Sequence, residues 1–145
     1  MITEEIHIQM DVEGTLFNQF EFETYMRGYH ASMDIWPKPL IGEILSCEIE
    51  PGNKHGINAV AAIREGAVVG HVPMMLSEVF HKFLRLPGSK AIFTVRGGRV
   101  NRGAGYGLEI PVHANLSGHA KAVAWAQAKI DKLFKEHEQR LNRNK

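Results

Sequence analysis

Three arginines and a tyrosine crowd into Arg96-Gly97-Gly98-Arg99-Val100-Asn101-Arg102-Gly103-Ala104-Gly105-Tyr106. A guanidinium presents paired N–H donors that match two phosphate oxygens at once. A tyrosine ring stacks on a base or a sugar. The interleaved glycines let the backbone approach a ligand closely. Arg99, Arg102 and Tyr106 are therefore candidate contacts for a phosphate-bearing strand. The same composition also suits a plain soluble connection between two strands. A second group, Arg27-Gly28-Tyr29-His30, again sets a cation beside a ring and a hydrogen-bond donor. It marks Arg27 and Tyr29, and its competing reading is a sheet with one wet face.

Other chemistries find little support. The eight histidines (His7, His30, His55, His71, His81, His113, His119 and His137) are scattered. None pairs with a cysteine at zinc-finger spacing, and there is no H-E-x-x-H. The chain has no phosphate-binding G-x-x-x-x-G-K-[ST] and no G-x-S-x-G elbow. Gly103-Ala104-Gly105-Tyr106-Gly107 precedes a predicted strand, whereas a dinucleotide fingerprint opens a helix. Glu21/Glu23 and Glu48/Glu50 alternate along predicted strands and read as solvated faces. Cys47 is the one cysteine, so no intramolecular disulfide forms, and a buried strand residue in a reducing compartment is expected. An enzyme reading would rest on His and Glu content alone. The expectation is a binding module with no catalytic residues, no metal and no cofactor.

The elements that must position these residues follow from the pattern. At 145 residues, 44% hydrophobic and 23% charged, the chain fits one globular domain that folds without staples. A net charge of +1 neither demands nor forbids nucleic acid, so an anion-binding surface has to come from local clustering. No run approaches the ~18 apolar residues of a membrane span, and Met1-Ile2-Thr3-Glu4-Glu5 lacks the basic start and apolar run expected of a signal peptide. A nuclear or cytoplasmic protein without membrane contact is expected.

Period-two alternation predicts strands at Glu5–Met10, Phe20–Tyr29 and Glu43–Glu50. Asn58–Arg64 and Ala67–Val72 make a hairpin across Glu65-Gly66. Lys90–Arg96 is a strand, and Leu108–His113 an edge strand because of Pro111. Pro73 opens a short helical pattern whose body is Ser77–Leu86. Ser117 is a natural N-cap for a long helix running to about Leu141, with Val123, Ala126, Ile130, Leu133 and Phe134 as its apolar stripe. Residues 140–145 read as a frayed tail. Short strands with two helices suggest a small barrel or a strongly curved sheet.

Several stretches share an order seen elsewhere. Arg27-Gly28-Tyr29 ends an early strand; Pro51-Gly52-Asn53-Lys54-His55-Gly56-Ile57-Asn58-Ala59-Val60 follows; Val69-Gly70-His71-Val72-Pro73 leads into a short helix. This set resembles the HIRAN domain of fork-remodelling SWI/SNF-type helicases, over about residues 21–133. The resemblance implies a mainly β, α+β fold: a small OB-like β-barrel of about six strands, one short helix and one long C-terminal helix. It also implies binding of single-stranded DNA, in the best-known members at a free 3′-hydroxyl. Matching positions are Arg27 and Tyr29 on the strand, His55 as the turn aromatic, His71 as the VGH-type histidine and Tyr106 as a stacking ring. The chain departs from the family at Gly56, where an Asp accepts from the terminal hydroxyl. The alternative is a protein-interaction module on the same barrel that has lost 3′-end recognition, with Trp36 and its neighbouring prolines, and the C-terminal helix, as exposed partner surfaces.

Overall fold

The computed structural model describes residues 9–10, 16–53, 56–103 and 105–144. Of the first predicted strand, only β1 (Gln9–Met10) falls within them. β2 (Leu16–Met26) follows, with Asn18, Phe20, Phe22 and Met26 turned inward. It ends three residues before the predicted limit. Gly28 takes a left-handed φ of 78°, a conformation cheap only for glycine. The chain there turns into one 3-10 turn, Tyr29–Ser32.

The remaining strands are β3 (Ile44–Ile49), β4 (Val60–Arg64), β5 (Ala67–His71), β6 (Lys90–Val95), β7 (Val100–Asn101) and β8 (Leu108–His119). The helices are α1 (Met74–Leu84) and α2 (Ala120–Arg143). Seven strands lie in the order β1-β2-β8-β6-β3-β4-β5, and β7 pairs with β8. Every pairing is antiparallel. The predicted α+β architecture with one short and one long helix is present. The barrel, however, is not closed by a ladder. Beside the ladders, among the described residues, one bridge between Arg27 and His71 ties the end of β2 to the end of β5.

β8 corrects two expectations. It is central, paired with β2 from Phe17↔His119 to Met26↔Ile110 and with β6 from Lys90↔Ser117 to Val95↔Val112. Pro111 is tolerated there because its carbonyl accepts from Arg96 N–H at 2.9 Å, where β6 has ended. Its missing N–H thus falls at a break in the ladder. Ser117 is not a helix cap; it pairs with Gln19 and Lys90. Inward Ile110, Val112, Ala114, Leu116 and Gly118 carry the strand past it. α2 begins only after His119 and stays helical to Arg143, so most of the expected frayed tail is helix.

The core lies between the sheet and the helices. Phe22 stands edge-on to Phe80 of α1 and Phe134 of α2, at 6.2 and 5.7 Å between ring centres. α1 starts at Met74, directly after the Pro73 expected to open it, ends at Leu84 rather than Leu86, and buries Leu76, Val79, Phe80 and Phe83. α2 buries Val123, Ala126 and Ile130, the stripe its periodicity predicts. Cys47 is buried, and burial pushes its thiol well up, so it stays protonated.

Trp36 is not an exposed partner surface; it is 2% exposed. Glu43 holds it there. Its Oε2 accepts from Trp36 Nε1 at 3.0 Å and from Leu40 N–H at 2.8 Å, and its Oε1 from Arg64 Nε at 2.9 Å. Burial pushes the Glu43 carboxyl up, but these donors outweigh it and hold it below its usual range. A depressed folded-state value stabilises above the unfolded-state value and is lost as pH falls through the folded one. Glu43→Gln should cost about 1–2 kcal/mol near neutral pH. The deficit should shrink between about pH 5 and pH 3, around the ordinary Glu value. Urea unfolding of both proteins across that range measures it.

Candidate nucleic-acid interface

The backbone brings two separately predicted residues together. Arg27 N–H donates to His71 O at 2.9 Å, and His71 N–H donates to Arg27 O at 2.8 Å. Arg27 is the first residue past β2 and His71 the last of β5, so this bridge fixes both at one corner. The His71 ring sits 2.8 Å, Nε2 to Oε2, from Glu50.

From this corner a column of cations and rings extends across the sheet. Arg96 lies 6.0 Å and Arg102 3.8 Å from the Tyr25 ring centre. Arg102 lies 5.1 Å and Arg27 5.2 Å from that of Tyr106. The order is therefore Arg96, Tyr25, Arg102, Tyr106, Arg27. Each guanidinium is drawn to the negative face of a ring. The central member is the best anchored: Arg102 donates through Nε and an Nη to Glu109 at 2.8 and 3.1 Å. Glu109 is fully buried. Its hydrogen bonds hold the guanidinium protonated above its ordinary value, against burial, which lowers it.

Beside the column opens a cleft of about 460 Å³. Arg27, His30, His71 and Tyr106 stand around it, with Gly28, Asn58 and Val60 among its lining. Ile57 and Met74 also line it, yet are 75% and 79% exposed. Bare apolar side chains beside cations and a ring suit a flat heterocycle carrying a phosphate.

The predicted residues divide. Arg27, His71, Arg102 and Tyr106 meet at this corner or in its column. Tyr29 does not: it is fully buried, its hydroxyl donating to the Trp36 carbonyl, so the expectation of a ligand-facing ring fails. The turn after β2 swings it inward. Arg99 is exposed in the loop between β6 and β7; among the described residues nothing pairs with it. His55 lies outside the described residues. Sequence reasoning passed over Tyr25 as a site residue. Its signal was its parity, since Phe20 and Phe22 occupy even positions and Tyr25 points the other way. Glu109 gave no such signal.

No protein-family model matches the chain, and no curated protein matches it in sequence. Solved structures do match in fold. The crystal structure of the HIRAN domain of human HLTF superposes with a TM-score of 0.58, at 15% identity, covering 78% of this chain and 88% of that one. The NMR structure of the HLTF HIRAN domain gives 0.53, at 17% identity, covering 76% and 88%. With its open antiparallel sheet, one short helix and one long C-terminal helix, this chain has the fold of a HIRAN domain.

Proposed function

We propose that the chain is a nucleic-acid-binding module that takes single-stranded DNA into the cleft between Arg27, His71 and Tyr106. The observation that carries this reading is the column of alternating guanidinium groups and rings ending at an open, apolar-walled cleft. Arg27 neutralises a phosphate, Tyr106 stacks a base, and Ile57 and Met74 flank it. No catalytic step is assigned. The resemblance of the motif order to HIRAN sequences supports the same occupant, and a nuclear or cytoplasmic location agrees with it.

Preference for a 3′ end needs an acceptor for the terminal hydroxyl. Gly56, with φ 116°, cannot supply one. We place end recognition on His71, which lines the cleft with its ring 2.8 Å from Glu50. Truncating Tyr106 or Arg27 to alanine should each weaken binding about tenfold, the worth of a stacked base or a charged contact (about 1–3 kcal/mol). Fluorescence anisotropy with labelled single-stranded DNA at low and moderate salt measures this. Ends bearing a 3′-hydroxyl and a 3′-phosphate are compared. Weaker binding of the phosphate supports the end pocket, equal binding restricts the site to a salt-sensitive groove, and no binding of either overturns the proposal.

A further inference from the structure

A second groove, of about 660 Å³, starts at the same Arg27, Met74 and Tyr106 and runs away from the cleft toward α2. Tyr25 and Arg102 line one side, and Leu133, Phe134, His137 and Arg140 the other. Leu133, His137 and Arg140 recur at helical spacing, so one face of α2 forms that wall. Glu136 instead lines a separate groove with Trp125 and Lys132.

We infer that a bound single strand of DNA continues past Tyr106 into this second groove, where His137 and Arg140 of α2 hold its backbone. The inference rests on the cleft reading above and extends it. Continuity is one support, because Arg27, Met74 and Tyr106 belong to both spaces. The chemistry of the lining is another: Tyr25 and Phe134 offer ring surface, and Arg140 is exposed. The groove also holds two carboxylates. Glu109 is taken up by Arg102, and Glu23 lies 3.6 Å from Arg96. Both are thereby offset, leaving Arg27, His137 and Arg140 to face the strand. Rings on which bases stack along a positive groove are the general mode of single-strand binding, with roughly 4–16 nucleotides per small β-domain.

Length dependence tests this. Labelled oligodeoxythymidylates of about 3 and about 12 nucleotides sample the cleft alone and the cleft plus groove. Wild type should bind the longer one more tightly. His137→Ala/Arg140→Ala should lose about 5- to 10-fold on the longer oligonucleotide and nothing on the shorter. The slope of log affinity against log salt should flatten by about 0.7 for each lost phosphate contact. Arg140→Glu, on the exposed face of the helix, should lose more. Circular dichroism confirms that α2 stays folded. Equal affinity of variant and wild type for the longer oligonucleotide overturns the inference, as does an equal loss on both lengths. Failure of wild type to bind either length instead overturns the cleft reading.

Discussion

Arg102→Ala is expected to destabilise the protein by about 3 kcal/mol, because it strands a carboxylate with no access to water. Glu109 is fully buried and takes two hydrogen bonds from the Arg102 guanidinium. Removing one partner of such a pair costs more than the pair itself contributes, since the remaining charge keeps its desolvation penalty. Arg102 is partly exposed, which places the effect toward the low end of the usual range for a broken buried pair. For a chain of this length, that corresponds to a fall in Tm of about 10 °C. The diagnostic comparison is Arg102→Leu/Glu109→Leu. Removing both charges should restore most of the lost stability, as apolar replacements of buried pairs do. Differential scanning calorimetry of the three proteins decides it. If Arg102→Ala melts with wild type, Glu109 is reached by water and the pair is not an anchor. The result bears on binding too. Arg102 carries both the fold and the column of rings, so its truncation weakens a ligand through two routes. Arg99→Ala, in the exposed loop, should leave Tm unchanged and report electrostatics alone.

That dual role could not be read from the sequence. Arg96, Arg99 and Arg102 look alike in a glycine-rich run, yet they end up in three situations. Arg96 Nε donates to the Val112 carbonyl, Arg99 faces solvent, and Arg102 turns in toward Glu109. What separates them is where β6 stops and β7 resumes against β8. That is decided by the register of a strand ladder, not by local composition. The helix stripes were legible because a 3.6-residue period is a local property. The hairpin across Glu65-Gly66 was legible because turn chemistry is local too. Pro111 misled, since a proline excludes a central strand only when its partner strand is continuous there. Tyr29 misled because it reads as the end of a strand, and Trp36 because it stands beside two prolines; the strand instead ends before the left-handed Gly28, and the segment that follows folds inward with the two rings edge-on at 5.8 Å. At the site, Arg27, His71 and Tyr106 were found from residue type and motif order. Tyr25 carried a signal only in its parity along the strand, and Ile57, Met74 and the wall of α2 came only from the packing of distant segments.

The corner that joins Arg27 to His71 depends on an atom that is absent. Gly70 precedes His71, and a Cβ built there would lie 2.7 Å from the Arg27 carbonyl oxygen and 2.5 Å from Met26 Cε. The methionine end can swing aside at modest cost. The carbonyl cannot, since it is backbone and accepts from His71 N–H in the bridge. Gly70→Ala must therefore push β5 away from β2 at the bridge that ties them, alongside the irregular register between β4 and β5. Overpacking of this kind costs about 2–3 kcal/mol. The same displacement separates Arg27 from His71, so single-strand affinity should fall about tenfold, the worth of a contact held only by that corner. Met26→Ala/Gly70→Ala distinguishes the two clashes. It relieves the side-chain contact but not the backbone one, and it adds a cavity, so it should not recover binding. Recovery of wild-type affinity in that double variant would show that Met26 sets the spacing of the strands. Failure to recover, with the fold retained by circular dichroism, would assign the spacing to the backbone at Gly70, and with it the geometry of the cleft.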